Sequence, residues 1–211
     1  MSVKTFEDYL QSLKKLKPTV YMFGERIESP VDNPRIRAGI NATGATYELA
    51  SDEKYRDLMT TPSPLTGERI SRFTLPPQSI EDLVARVKIN RVLGGYVGTC
   101  HQRCTGLDCL CALSIVSYDV DKKHGTHYYD RFVDFLKYMQ ANDFTGNASV
   151  TDVKGDRNLS PHEQPDRDMY LRVVDQTKEG IIVKGAKVQQ TGSVSCHEVI
   201  VLPTRAMGKG D

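Results

Sequence analysis

Apolar residues recur at helical spacing along roughly the first two-thirds of the chain, and after Asn142 they give way to short β-branched runs. Thr5 and Asp8 form a capping box ahead of Phe6, Leu10, Leu13 and Leu16. Lys14, Lys15 and Lys17 suit the carboxyl end of that helix, and Pro18 stops it. From Thr19 to Pro77, prolines and glycines interrupt the pattern often enough to predict short helices joined by fixed turns, with one helix around Gly39 to Tyr47. Ser79 and Asp82 form a second capping box. The helix behind it carries Ile80, Leu83, Val84 and Val87 as its apolar stripe and runs at least to Leu93. Helical character resumes from Thr105 to Tyr118. It returns from about Tyr128 to Gln140, where Phe132, Phe135, Leu136 and Met139 share one side.

Farther along, Met169 to Asp175 and Gly180 to Val188 are rich in β-branched residues and flank Lys178, Glu179 and Gly180, the pattern of a hairpin. Val199 to Leu202 reads as another strand. The fold class expected is α+β: a helical domain over residues 1–145, then the start of an antiparallel β domain over residues 146–211. The final strand has few partners left in the chain, and the helical layer has little sheet to pack on. The sequence therefore reads as truncated.

Charge narrows the function classes. Lys and Arg total 28 against 27 Asp and Glu, a net +1, so no electrostatic footprint points to nucleic acid or an anionic membrane. The opening MSVKTFEDYL lacks the apolar core of a signal peptide, and no run reaches membrane-spanning length. A cytoplasmic chain with small-molecule or protein partners is expected.

Four of the five cysteines crowd into CHQRCTGLDCLC, from Cys100 to Cys111. Thiolates are soft ligands for iron and zinc, and residues four apart on a helix face the same way about 6 Å apart. Cys100 and Cys104 have that spacing. On a continuous helix Cys109 would point to the opposite side, and Cys111 would lie about 16 Å farther along. Three readings stay open: a metal centre held by Cys100 and Cys104 with remote ligands, a set of buried packing thiols, or a four-cysteine zinc site if the helix breaks at Gly106. His101 and Gln102 lie between the two thiols, and spacing gives neither a catalytic role.

VTDVKGDR, from Val150 to Arg157, is a dense charged loop. Its backbone amides, Gly155 among them, together with Thr151, Lys154 and Arg157, offer donors to a phosphate or a flavin edge, and Asp152 and Asp156 can accept from a ribityl hydroxyl. KVQQTGS ends a strand with Gln189, Gln190 and Thr191, and Gly192 lets backbone approach a ligand. Neither segment is a Walker loop or a Rossmann fingerprint.

Read in order, YMFGERI, NATGATYELA, TCHQRCTGLD, TDVKGDR and GAKVQQTGS resemble the amino-terminal half of the 4-hydroxyphenylacetate 3-hydroxylase superfamily, whose members share a fold similar to acyl-CoA dehydrogenases. Within it, Cys100 and Cys104 in TCHQRC resemble the acyl-CoA dehydratase branch, where two such cysteines ligate a [4Fe-4S] cluster. The phenol hydroxylases have no cluster there. The resemblance implies removal of water from 4-hydroxybutyryl-CoA to give crotonyl-CoA, isomerisation of vinylacetyl-CoA, and a full-length parent that is a homo-oligomer. It implies that FAD is held at Val150, Thr151, Asp152, Lys154, Gly155, Asp156 and Arg157 and at Gln189, Gln190, Thr191 and Gly192, and that Gln102 lies close to cluster and substrate. The family's other cluster ligands, a histidine and a cysteine, fall beyond Asp211, and Cys196 and His197 do not match them by position. Two rival expectations are an FAD-dependent aromatic hydroxylase with incidental cysteines and a non-catalytic zinc-binding interaction module.

Overall fold

The computed structural model describes residues 3–203. Helix α1, Phe6–Lys14, starts on the reciprocal Thr5–Asp8 capping box. Its buried residues are Tyr9, Leu10 and Leu13, whereas Leu16 lies past the helix end and is exposed. The stripe read from the sequence therefore misses Tyr9, whose ring is wholly buried and whose hydroxyl donates to the Ser195 carbonyl at 2.6 Å.

The Thr19–Pro77 region departs from the expected succession of short helices. Strands β1, Val20–Met22, and β2, Glu25–Ile27, form a hairpin with Met22 opposite Glu25. Phe23 and Gly24 make its two-residue loop, both at positive φ (53° and 83°), as the twist of a tight hairpin requires. Phe-Gly is an unusual pair for that turn, which hides the hairpin from a sequence reading. Helix α2, Pro34–Ser51, is longer than expected, with Asn33 accepting from the Arg35 and Ile36 amides and Pro34 in its first turn. The short α3, Arg56–Met59, leads into a second hairpin, β3 (Thr60–Pro62) and β4 (Arg69–Ser71). A 3-10 turn at Arg72–Thr74 follows.

Helix α4 spans Ile80–Val97 and ends at Gly98, whose φ of 63° suits glycine. Its N-cap is only half a box. Ser79 accepts from the Asp82 amide, but the Asp82 carboxylate turns to the Gln78 amide and to Arg72. The expected apolar stripe is also reversed: Ile80, Leu83, Val84 and Val87 are exposed, and Ile89 and Leu93 are buried instead. Helix α5, Cys104–His124, and α6, Tyr128–Ala141, pack side by side, and α6 buries Phe132, Leu136 and Met139. One core cluster joins Ala45, Leu49, Met59, Phe73, Ile89, Leu93 and Leu107; a second joins Tyr9, Leu13, Ile36, Ile40 and Tyr47. Burying a side chain as large as Leu93 contributes about 1.5–3 kcal/mol.

Strand β5, Gly146–Ser149, pairs with β8, Glu198–Val201, and β6 (Arg172–Gln176) pairs antiparallel with β7 (Ile181–Lys184), with a bulge between Val173 and Asp175. A 3-10 turn lies at Pro161–Glu163. Contacts divide the described residues into two units, residues 3–147 with 191–199, and residues 148–190 with 200–203. No helix among the described residues is long and apolar enough to cross a membrane.

Candidate functional site

The sequence Thr99-Cys100-His101-Gln102-Arg103 is a turn between two helices, so the two thiols do not sit on one helix as their spacing suggested. They nevertheless converge. Gln102 takes a positive φ of 61°, and the Arg103 amide donates to the His101 carbonyl at 2.8 Å, which folds the chain back on itself. Cys104 opens α5, and its Sγ lies 4.0 Å from the Sγ of Cys100. The Cys100 sulfur also accepts from the Gln102 amide at 3.3 Å. Cys100 is exposed and Cys104 half-buried, and burial with the neighbouring Cys100 pushes the Cys104 thiol up to about 11. Cys109 is buried, and Cys111 packs against the α2–α4 core cluster. Among the described residues, no group of three or more His, Cys, Asp and Glu side chains could hold a metal ion, so the four cysteines do not gather into a zinc tetrahedron. What the turn brings together is a pair of thiols 4.0 Å apart, soft donors by their chemistry.

Polar side chains adjoin this turn. Gln102 comes within 3.5 Å of the Ser195 hydroxyl through its amide oxygen. Thr105, one residue past Cys104, donates to Asn147 Oδ1 at 3.1 Å, and the Asn147 amide in turn lies against Gly192, where an added Cβ would sit 3.2 Å from Oδ1. Asn147 is buried, and its Nδ2 finds no hydrogen-bond partner. Sequence reading overlooked Asn147 because Gly-Asn-Ala-Ser carries no motif.

The charged loop is held by residues that the sequence did not single out. Gln164 is buried and clamps the loop, its Oε1 accepting from the Asp156 amide and its Nε2 donating to the Asp156 carbonyl. Gly155 leaves room for that clamp, since a Cβ would meet Gln164 Oε1 at 2.3 Å and displace the side chain. Lys187 reaches Asp152, the Val150 carbonyl at 3.0 Å and the Leu202 carbonyl at 2.8 Å. Asp152 is thus engaged by Lys187. Lys154, Asp156 and Arg157 are exposed and Thr151 is half-buried. Gln189 has a φ of 62°, Gln190 donates to the Val188 carbonyl at 2.6 Å, and Thr191 is exposed.

His101 and His197 are structural. His101 packs on Phe73 with Nε2 3.2 Å from Asn90 Oδ1, and burial beside Arg103 pushes it down to about 4. His197 accepts the Thr145 amide through Nδ1 at 3.0 Å and meets Ser12 through Nε2 at 2.8 Å.

The amino-terminal model of 4-hydroxyphenylacetate 3-hydroxylase matches residues 5–211. The chain belongs to the 4-hydroxyphenylacetate 3-hydroxylase family. Within that family it is 49% identical, over 98% of its own length, to a 4-hydroxybutyryl-CoA dehydratase/vinylacetyl-CoA-Δ-isomerase of Clostridium aminobutyricum. It is 26% identical to the oxygenase component of 4-hydroxyphenylacetate 3-monooxygenase from Thermus thermophilus, again over 98% of the chain. An oxygen-tolerant archaeal 4-hydroxybutyryl-CoA dehydratase from N. maritimus superposes with a TM-score of 0.92 at 40% identity, covering all of this chain and 42% of that one. A 4-hydroxyphenylacetate 3-monooxygenase oxygenase component solved with FAD shares the fold, with a TM-score of 0.77. The chain spans about 42% of the length of these two curated relatives.

Proposed function

We propose that this chain is the amino-terminal part of an enzyme that dehydrates 4-hydroxybutyryl-CoA to crotonyl-CoA and isomerises vinylacetyl-CoA, with FAD and a [4Fe-4S] cluster as cofactors. The observation that carries the reading is the convergence of Cys100 and Cys104 at 4.0 Å, in a chain half identical to a protein named for that reaction. In this reading the whole protein is a cytoplasmic homo-oligomer with an acyl-CoA dehydrogenase-like fold. Residues 1–145 supply its helical domain and residues 146–211 the first strands of its β domain.

Cys100 and Cys104 would hold the cluster as thiolates, and the burial that favours the neutral Cys104 thiol would oppose that deprotonation. The flavin and the cluster, when bound, supply one-electron chemistry on the acyl chain and a Lewis-acidic iron for the departing hydroxyl. Gln102, held at positive φ between the two thiols, presents a carboxamide able both to donate to and to accept from substrate, the catalytic contact assigned to this chain. Thr151, Lys154, Gln190 and Thr191 contact FAD, with Val150, Gly155, Asp156, Arg157 and Gln189 lining its seat and Gly192 letting it approach the backbone. Asp152 shapes the loop through Lys187.

The test is iron, sulfide and flavin content and crotonyl-CoA formation by the full-length polypeptide, prepared without oxygen, beside its Cys100→Ser variant. The expected result is a clustered flavoprotein whose variant loses iron and dehydration while keeping FAD. An iron-free flavoprotein that hydroxylates phenols would establish the aromatic hydroxylase instead.

A further inference from the structure

The turn that carries the two thiols is held by side chains that touch neither sulfur. His101 and Arg103 are 6% and 1% exposed, while Cys100 is exposed and Gln102 and Cys104 are half-buried. The bond from the Arg103 amide to the His101 carbonyl spans Gln102 at φ 61°, an i to i+2 closure of the γ-turn type that is strained for a residue with a side chain. Such backbone persists only where its surroundings over-determine it.

Arg103 provides that constraint. Its guanidinium lies over the Tyr47 ring at 4.3 Å and near the Phe73 ring at 5.3 Å. Nη2 donates to Asp143 Oδ1 at 2.5 Å and to the Phe144 carbonyl at 3.4 Å, and Nη1 donates to Thr46 Oγ1 at 3.3 Å. Asp143 is fixed in turn, with a φ of 42° and its second oxygen accepting the Lys4 amide at 3.0 Å. A planar fork satisfied at three points and covered by an aromatic face locks position and rotation together, which a lysine ammonium cannot do. Released from it, residues 100–103 would relax toward negative φ at Gln102, and the Cys100 sulfur would swing away from Cys104.

We propose that Arg103 is a positioning residue that sets the separation of the Cys100 and Cys104 sulfurs before any metal arrives. This rests on the reading of the two cysteines as a ligand pair and assigns what pre-organises them. The probe is phenylarsine oxide, which condenses with two neighbouring thiols, forming two As–S bonds and releasing water, without any cluster. It is titrated against the reduced, metal-free chain, with Cys100→Ser setting the background from the other cysteines. Arg103→Lys should bind the arsenical about tenfold more weakly, the lower bound for losing a residue that orients a ligand, while circular dichroism and the melting curve report a folded chain. Adding Gln102→Gly to that variant should recover part of the affinity, because glycine accepts positive φ without a side-chain clash. A residue that merely fills the core would not be rescued this way. Arsenical binding by Arg103→Lys equal to wild type, or no recovery with Gln102→Gly, overturns the proposal. If Arg103→Lys does not fold, Thr46→Val removes one bond to the fork and should weaken arsenical binding several-fold; unchanged affinity there overturns the proposal equally. In the full-length protein, a full iron complement in folded Arg103→Lys would also overturn it. Iron-free wild type beside an intact arsenical result would remove the cluster reading alone.

Discussion

Tyr9, Tyr47, Met59 and Leu93 are fully enclosed in the helical unit, whereas Val173, Ile181, Ile182 and Val183 of the β6–β7 hairpin are all about half exposed in the second unit. Both sets are apolar, yet only the first is enclosed. In the helical unit, a buried ion pair sits inside a closed aromatic shell and fixes the turn that bears the thiols. In the second unit, a two-stranded ribbon, marginal by itself, is tied by charges that water still reaches, the half-buried Asp168 to the half-buried Arg172 at 2.9 Å and to the exposed Lys184 at 2.5 Å. A similar pairing of carboxylate and cation thus has unequal weight. Where water is excluded, an unpaired partner is costly; where water is present, it is resolvated.

The sharpest way to break this contrast is to remove one carboxylate from each unit. Asp143→Ala strands the Arg103 charge in the core and should destabilise the chain by about 3–5 kcal/mol, read from urea unfolding. Asp168→Ala, which releases two cations that water can reach, should cost no more than about 1 kcal/mol in the same measurement. Equal effects would show that the two units do not differ as described.

Packing gives the next effect. The Gly106 Cβ position lies 2.4 Å from the Gly146 carbonyl oxygen, backbone against backbone. Gly106→Ala should therefore cost about 1–3 kcal/mol in the same measurement. A neutral result would mean that α5 shifts freely on β5.

The acid limb of stability should also belong to the helical unit. Burial, then the cations Lys4 and Arg103, push His197 down to about 3. Because its folded pKa lies below the unfolded one, neutral His197 stabilises fully above about pH 6.5, and that contribution is lost as pH falls towards about 3. His101 acts in the same direction down to about 4. His197→Asn, whose amide oxygen can take the place of Nδ1, should flatten the fall in urea midpoint between those values. An unchanged slope would assign the acid sensitivity elsewhere. Smallest of all, Ile182→Thr on the exposed hairpin should stay within about 0.5 kcal/mol of wild type. A larger loss would reveal burial that the exposure of Ile182 does not indicate.

Much of this was legible from local signals. The Thr5 capping box and the turn at Gly180 each depend on residues a few positions apart and stand as read, as does the α6 stripe of Phe132, Phe135, Leu136 and Met139, with Phe135 only half-buried. The readings that failed needed knowledge of what lies across space. Ile80, Leu83, Val84 and Val87 form a regular stripe, but they stay 46% to 74% exposed while Ile89 and Leu93 are buried, so periodicity alone gave α4 the wrong buried face. Phe23 and Gly24 make a tight hairpin loop that composition did not advertise.

The candidate site divides the same way. The sequence by itself determined that two thiols stand four residues apart beside a glutamine, and that a charged loop and a Gln-Gln-Thr-Gly segment follow, because these are properties of residue identity and order. Their arrangement was decided by tertiary structure. Helical spacing suggested that Cys100 and Cys104 meet on one helix, but they meet across a strained turn, because Arg103 finds Asp143, Thr46 and Tyr47 at distances of 40 to 57 residues along the chain. A buried charge must be matched wherever its partner happens to lie, and that partner is fixed by the folded core rather than by the local sequence.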